Sequence, residues 1–192
     1  MLAIIRAVES KKVRGARVAV VLSDRADASA LEVARKHGIP ALWIDPAESP
    51  DRRHYDRRLA AALEERGVEA RTGLVLLAGF MRLLSPEFVD GFKGRMLNIH
   101  PSLLPSFPGV RAQQQALDWG VKVSGCTVHF VVPEVDSGPV VLQSAVKVEP
   151  GDTVQTLSSR ILREEHRIYP LAVKLFVDGR LKIEGRRVTV RR

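Results

Sequence analysis

The sequence predicts an α/β protein with a twisted, mostly parallel sheet flanked by helices, and this sheet becomes mixed in the C-terminal half. In the first half, apolar runs such as Arg17–Ser23 alternate with amphipathic stretches such as Asp27–His37. An unbroken apolar run of this length is typical of a strand buried on both faces, and the alternation is typical of a parallel sheet. Beyond residue 120, two long strand-like runs, Val123–Val132 and Pro139–Val148, follow each other without a helix between them, so we expect the mixed part of the sheet there.

The other elements follow from hydrophobic periodicity and from cap and turn residues. Helices are predicted over Leu2–Val8, Asp27–His37 (closed by Gly38), Asp51–Arg66, Val110–Trp119 and Thr153–Asp178, with a short helix that starts at Ser85-Pro86-Glu87. Strands are predicted at Ala41–Ile44, Leu74–Ala78 and Met96–Ile99, and a hairpin at Leu181–Arg191. This order of elements is typical of a Rossmann-like sheet with helices on its faces.

Composition limits the functional classes. The chain has 192 residues, of which 45% are hydrophobic and 27% charged, as expected for a single globular domain. Cys126 is the only cysteine, and we find neither a signal peptide nor a membrane-spanning run, so we expect a cytoplasmic protein that does not bind a membrane. The net charge of +8 fits either nucleic acid or small anionic ligands. Because basic and aromatic residues do not interleave, we expect no nucleic-acid partner.

Three polar residues form the strongest catalytic candidate. Asn98 and His100 lie two residues apart on a predicted strand, so their side chains leave the same face, and a proline-rich loop follows them. Asp136 lies in a loop between Pro133 and Pro139. An amide, an imidazole and a carboxylate can polarise a carbonyl, move a proton and orient the imidazole. On spacing alone, a structural histidine, a turn aspartate and an asparagine bonded to the backbone remain open.

Other chemistries fit the sequence less well. His100, His129 and Asp136 match no common zinc-ligand spacing, so we expect no metal. A serine hydrolase that used Ser102 or Ser124 lacks the G-x-S-x-G turn. Cys126 lies in a strand-like run and is expected to be a small buried residue rather than a nucleophile.

Several motifs resemble the formyltransferase family that uses 10-formyltetrahydrofolate. The match is carried by Asn98–Pro105, Leu77–Arg82, His129–Val131, Asp136–Pro139, Glu164–Pro170 and Asp178–Leu181. The resemblance covers nearly the whole chain and implies one formyltransferase domain over residues 1–192. Residues 1–95 would form its nucleotide-binding-like half, and residues 96–192 its catalytic and folate-binding half.

The resemblance implies roles for the candidate residues. A substrate amine would attack the formyl carbon of the folate, and Asn98 would donate to the resulting oxyanion. His100 would donate a proton to the oxyanion or to the leaving folate nitrogen, and Asp136 would orient His100. Glu165 would bind the sugar hydroxyls or the amine of the nucleotide substrate. His129 would support the site from a neighbouring strand.

The resemblance also implies a folate pocket. Its residues would be Arg57, Met81, Arg82, Leu83, Leu84, Asn98, Val132, Pro133, Glu134, Val135 and Asp136. Without the resemblance, the apolar members of this set would be ordinary core residues, and Arg57 would belong to a solvated helix face.

The N-terminus departs from the family pattern. Relatives begin with a strand and a glycine-rich loop that holds a phosphate, a natural anion site at a helix N-terminus. Here Met1–Ile5 aligns with the helix that follows that loop. We therefore expect the first strand and the phosphate loop to be missing from this sequence, with Met1 an internal methionine of a longer protein.

The resemblance implies formyl transfer from 10-formyltetrahydrofolate to the amine of glycinamide ribonucleotide, in purine biosynthesis. The expected partners are these two small molecules, and we expect a monomer or a homodimer. Two alternatives stay open: a deformylase that hydrolyses formyltetrahydrofolate, and an inactive folate-binding remnant. A tRNA-directed formyltransferase would need a further RNA-binding domain.

Overall fold

The computed structural model describes residues 1–191, and within them helices and short strands alternate up to the fourth strand. The helices are α1 (Leu2–Glu9), α2 (Ser29–Lys36), α3 (Arg52–Glu64), α4 (Pro86–Gly91), α5 (Ala112–Asp118) and α6 (Val154–Val177). The strands are β1 (Val21–Ser23), β2 (Ala41–Trp43), β3 (Val75–Leu77), β4 (Met96–His100), β5 (Val123–Phe130), β6 (Val140–Lys147), β7 (Leu181–Glu184) and β8 (Arg187–Val190). Every predicted element is present, and most are one to four residues shorter than predicted.

The strand pairing confirms the predicted fold class. β1 pairs with β2 in parallel, and β3 pairs with β4 in parallel. From β4 onwards the pairing is antiparallel, in the order β3-β4-β5-β6. β7 and β8 form the predicted C-terminal hairpin. The pairing changes from parallel to antiparallel between β4 and β5, which are joined through the proline-rich loop and α5. β6 then follows β5 through a short loop, a connection that antiparallel neighbours allow and parallel ones do not.

Helices pack on both faces of the sheet, and alternate side chains of β3 and of the preceding Leu74 point into the two cores that result. Leu74 and Leu76 pack into a core shared with α1 and α6, whereas Val75 and Leu77 pack into a second core with α3 and α4. A strand that is apolar on both faces therefore reads as a continuous hydrophobic run. This explains why the sequence pattern predicted these strands correctly.

The predicted strand Arg17–Ser23 is shorter in the structure, since only Val21–Ser23 pairs with a neighbour. Among the described residues, β1 has β2 on one edge and no strand between it and β3. A cavity of about 880 Å³ separates β1 from β3, and its lining includes Val20, Leu22, Val75 and Leu77. Residues 17–20 lack a partner strand and hence the ladder hydrogen bonds that define a strand. The expected missing strand concerns residues outside this sequence and stays a prediction.

Capping side chains lie at the start of α4 and of α6. Ser85 accepts a hydrogen bond from the Phe88 N–H at the start of α4, and Thr153 forms a capping box with Thr156 at the start of α6. α6 continues through Pro170, as the sequence predicted.

The buried Tyr169 hydroxyl lies 2.8 Å from the Leu77 carbonyl oxygen and 2.9 Å from the Leu97 carbonyl oxygen, and these contacts hold α6 against β3 and β4. Within residues 1–191 no helix combines the length and apolar character needed to cross a membrane.

Candidate active site

The candidate site lies at the C-terminal end of β4, a strand paired with β3 on one edge and β5 on the other. Asn98 and His100 leave β4 on one face, as their spacing predicted. Cross-strand pairing places His129 of β5 directly opposite Asn98, and Thr127 opposite His100. The site is therefore built on paired strands, which hold its side chains in fixed positions.

His100 is buried, and both of its ring nitrogens face acceptors. Nε2 lies 2.9 Å from the Phe107 carbonyl oxygen and donates to it, and Nδ1 lies 3.3 Å from Asp136 Oδ2. The imidazolium form carries a hydrogen on the nitrogen that faces each acceptor, whereas the neutral ring with Nε2–H would turn the Nδ1 lone pair towards the carboxylate. Because the Phe107 carbonyl accepts from Nε2, Nδ1 is the nitrogen left for proton transfer, with Asp136 beside it.

Asp136 is held in place by backbone contacts. Its Oδ2 accepts a 2.7 Å hydrogen bond from the Gly109 N–H, and its own backbone adopts a φ of 51°. A left-handed aspartate is uncommon and is concentrated at functional sites. A Cβ on Gly138 would lie 1.7 Å from the Phe130 carbonyl oxygen, so only glycine allows this loop to approach β5. The Asp-Ser-Gly-Pro motif therefore brings a carboxylate against His100.

The loop after β4 is fastened to the sheet by two polar side chains. Thr127 Oγ1 donates to the Ser102 carbonyl over 2.7 Å and accepts from the Leu104 N–H. Gln143 Nε2 donates to the Leu104 carbonyl over 2.8 Å. These anchors hold Phe107, which orients His100. Sequence reasoning did not identify Thr127, Gln143 or the Phe107 carbonyl, since nothing in a sequence marks which backbone group a loop turns inward.

A cavity of about 560 Å³ brings together most of the residues predicted to bind folate or substrate. Met81 and Leu83 stand at its open side, with exposed fractions of 73% and 59%, and the Arg82 guanidinium lies 5.1 Å from the centre of the Tyr55 ring. Predicted residues on its wall are Met81, Arg82, Leu83, Leu84, Asn98, His100, Val132, Pro133, Glu134, Val135, Asp136 and Glu165.

Arg57 is the one predicted folate residue that the structure leaves apart from the others. It is exposed on α3 and does not belong to the wall of this cavity. Its predicted contact with the folate stays a prediction.

Glu165 and its neighbour Glu164 point in different directions because successive helical residues are rotated by about 100°. Glu164 accepts a 2.6 Å hydrogen bond from the Ser144 hydroxyl and pairs with Arg167. Glu165 instead faces the cavity, where burial raises the pKa of its carboxyl above the ordinary value and the Met1 ammonium offsets part of this. The structure thus separates one carboxylate that fastens α6 to β6 from one that is available to a ligand.

Within residues 1–191, no group of three or more His, Cys, Asp and Glu side chains is arranged to hold a metal ion. Cys126 is buried, and burial raises the pKa of its thiol to about 12. This agrees with its predicted role as a core residue.

A polar triad thus lies at the end of a mixed α/β sheet, beside a cavity whose wall also carries Glu165. Residues 1–173 match the sequence profile described as formyl transferase, and the chain belongs to that family.

Curated relatives of two kinds resemble the chain. It is 45% identical to phosphoribosylglycinamide formyltransferase of Escherichia coli strain K12 over 181 residues, which cover 94% of this chain and 83% of the relative. It is also 47% identical over 168 residues to the trifunctional purine biosynthetic protein adenosine-3 of Bos taurus. That match covers 88% of this chain but only 16% of the relative, so the chain spans about a sixth of the trifunctional proteins.

Solved structures agree with this assignment. Glycinamide ribonucleotide transformylase 1 from Symbiobacterium toebii superposes with a TM-score of 0.94 at 56% identity, covering 99% of this chain and 87% of that one. Formyltetrahydrofolate deformylase from Burkholderia mallei gives a TM-score of 0.84 at 28% identity, covering 100% of this chain and 65% of that one. The deformylase, which the sequence left open as an alternative, is the more distant of these two.

Proposed function

We propose that this protein transfers the formyl group of 10-formyltetrahydrofolate to the amine of glycinamide ribonucleotide, as a step of purine biosynthesis. The observation that carries the proposal is the wall of the 560 Å³ cavity, which unites the Asn98, His100 and Asp136 triad with Glu165. The 45% identity to a phosphoribosylglycinamide formyltransferase over most of the chain supports the choice of substrate.

The reaction begins when the lone pair of the substrate amine attacks the formyl carbon of the folate. A new C–N bond forms while the formyl C=O becomes a tetrahedral oxyanion. The Asn98 amide N–H donates to that oxyanion, and one such preorganised donor contributes about 10²-fold or more to the rate. His100, which is fixed by Phe107 and faces Asp136, adds positive charge beside the same oxygen.

Collapse of the intermediate breaks the bond between the formyl carbon and the folate nitrogen. The leaving nitrogen takes up a proton from His100 Nδ1, and the attacking amine then gives one of its protons to the same Nδ1, so that His100 is protonated again and protons balance over the cycle. Asp136 stabilises the imidazolium before this transfer. The products are the formylated nucleotide and tetrahydrofolate.

The two ligands occupy different parts of the cavity in this proposal. The backbone of residues 132–136 and the apolar side chains of Met81, Leu83 and Leu84 take the folate ring system, and Arg57 or Arg82 meets its glutamate tail. Glu165 binds the sugar hydroxyls or the amine of the nucleotide. Because Glu165 and residues 132–136 line the same cavity, the two ligands would bind side by side.

The test is a formyl-transfer assay on the purified chain with and without glycinamide ribonucleotide, followed by the appearance of tetrahydrofolate. We expect product only when the nucleotide is present, and a loss of at least about 10²-fold in kcat for Asn98→Ala. His54→Ala, an exposed change on α3, serves as the matched control. Formate release without the nucleotide would instead identify a deformylase, and binding of folate without turnover would identify an inactive remnant.

A further inference from the structure

His129 is a buried histidine beside the catalytic residues that the proposed reaction does not use. It lies on β5, directly opposite Asn98, and only 2% of its surface is exposed. Three groups face its ring: the Phe130 carbonyl, the Asn98 amide and the Asp136 carboxylate. Their geometry determines where the ring proton resides.

The tautomer of His129 follows from its contact with the backbone. Nδ1 lies 2.9 Å from the Phe130 carbonyl oxygen, and because a carbonyl can only accept, Nδ1 carries the hydrogen. In the neutral ring, Nε2 is then a lone-pair acceptor. Burial lowers the pKa of His129 below its ordinary value, which keeps the ring neutral around pH 7.

The acceptor at Nε2 fixes the orientation of the Asn98 amide. Nε2 lies 3.3 Å from Asn98 Nδ2, and only the NH₂ group of the amide can donate to it. A flipped amide would bring its oxygen against the Nε2 lone pair, an acceptor against an acceptor. An NH₂ group has two hydrogens, so one remains for a ligand after the first is donated to His129.

We propose that His129 is a positioning residue that sets the orientation of the Asn98 amide, so that its second N–H points to the oxyanion of the reaction. This inference rests on the formyl transfer proposed above. A neutral His129 ring also does not compete with His100 for the Asp136 carboxylate. Asp136 Oδ1 is 3.7 Å from His129 Nε2, beyond hydrogen-bond distance, whereas a protonated Nε2 would compete for the same carboxylate.

The first test is a double-mutant cycle with Asn98. Leucine at position 129 removes the acceptor, and we expect His129→Leu to lower kcat about tenfold, less than the ~10² of losing the donor itself, with KM for both substrates within twofold. His129→Gln supplies an amide oxygen as acceptor and should restore most of kcat. In the Asn98→Ala background, His129→Leu should cause no further loss.

Two outcomes of this cycle would overturn the proposal. One is an equal loss of kcat from His129→Leu in the presence and absence of Asn98, which would indicate general support of the sheet. The other is a loss in His129→Gln as large as that in His129→Leu. The exposed His54→Leu is the matched control and should change neither kcat nor KM.

The second test does not depend on activity. We expect nitrogen-15 NMR of the imidazole rings of the substrate-free chain at pH 7 to show His129 as the neutral Nδ1–H tautomer. The side-chain amide signal of Asn98 should shift in His129→Leu. An Nε2–H tautomer or a charged ring would contradict the proposal even if formyl transfer is confirmed, whereas the expected tautomer without turnover would locate the failure in the proposed function.

Discussion

At the residue scale, the proposed reaction needs the Asp136 carboxylate beside the His100 ring. The side chains of His100 and Asp136 are only 6% and 10% exposed, so water screens their interaction weakly. Asp136 carries two duties, since the same oxygen that faces His100 also accepts the Gly109 N–H. The negative charge of Asp136 can therefore be tested apart from its hydrogen bond, by a substitution that keeps the bond from the Gly109 N–H and removes the charge.

Asp136→Asn tests the charge. The asparagine oxygen can still accept from Gly109, but it no longer stabilises the His100 imidazolium. We expect kcat to fall about 10²-fold with little change in KM, as for the loss of a proton-transfer partner. Steady-state kinetics would measure this, with the exposed Ser137→Ala as the neighbouring control. A kcat within twofold of the parent would show that charge at Asp136 is not needed.

Glu165→Gln tests whether the ionised Glu165 carboxylate lowers the free energy of unfolding. The folded-state pKa of Glu165 is raised by burial, so its ionised form disfavours the fold and stability is lost as pH rises above the ordinary value of 4.5. We expect Glu165→Gln to raise the free energy of unfolding at pH 7 and to leave it unchanged below pH ~4. Urea unfolding at both pH values would measure this.

Affinity for the nucleotide should fall in the same Glu165→Gln variant, because the carboxylate is its proposed ligand. Such an exchange of stability against binding is common at functional sites. A variant that is less stable at pH 7 would show that Glu165 is paired within the fold rather than held for a ligand.

At the scale of elements, two loops rather than the strands complete the site. The loop after β4 supplies the Phe107 carbonyl and the Gly109 N–H, and the loop between β5 and β6 supplies Asp136. Each loop is held by close contact with the sheet, through Thr127 in the first case and Gly138 in the second. A substitution that disturbs the packing of either loop should therefore lower both kcat and the free energy of unfolding.

Gly138→Ala is the sharpest test of this coupling. Its Cβ would lie 1.7 Å from the Phe130 carbonyl oxygen, a backbone atom of β5 that cannot rotate away. We expect a loss of about 1–3 kcal/mol in the free energy of unfolding from overpacking, and a lower kcat because Asp136 moves with the loop. Denaturant unfolding and kinetics would measure both. For comparison, Gly120→Ala meets no atom within 4 Å at the end of α5, so any loss there reflects backbone strain alone.

At the scale of the whole molecule, the sheet is divided between β1-β2 and β3-β4-β5-β6. The cavity of about 880 Å³ between the two parts is lined mainly by apolar side chains, with Ile4 and Ile5 of α1 on its wall. The Tyr55 hydroxyl on the same wall is buried and has no hydrogen-bond partner within the described part of the chain. An extended apolar segment would fill this cavity and give its neighbours backbone partners.

We therefore expect an apolar five-residue strand and a glycine-rich loop, joined ahead of Met1, to insert between β1 and β3. A gain of ~2 kcal/mol would raise Tm by roughly 5 °C in a chain of this length. Thermal unfolding of the extended chain would measure this against an extension of equal length made of Gly and Ser. Equal Tm values for the two extensions would contradict the prediction.

The elements and the shared strand face of Asn98 and His100 could be predicted from the sequence because they depend on local patterns. Strands apolar on both faces, the Ser85 cap and the spacing of Asn98 and His100 are encoded within a few residues, and the structure reproduces them. Residues 17–20 are the clearest difference, because a strand needs a partner edge and not only an apolar run. The position of Arg57 could not be derived locally either, since it depends on how α3 packs.

The fold class, the order of the elements and the identity of the candidate site residues therefore followed from the sequence. Which atoms contact one another became clear from the packed structure. It placed the Phe107 carbonyl on His100, brought His129 opposite Asn98 and turned Glu165 rather than Glu164 into the cavity. The physical reason is that backbone groups are alike at every residue, and that the partner of a side chain is set by strand register and loop packing between residues far apart in the chain.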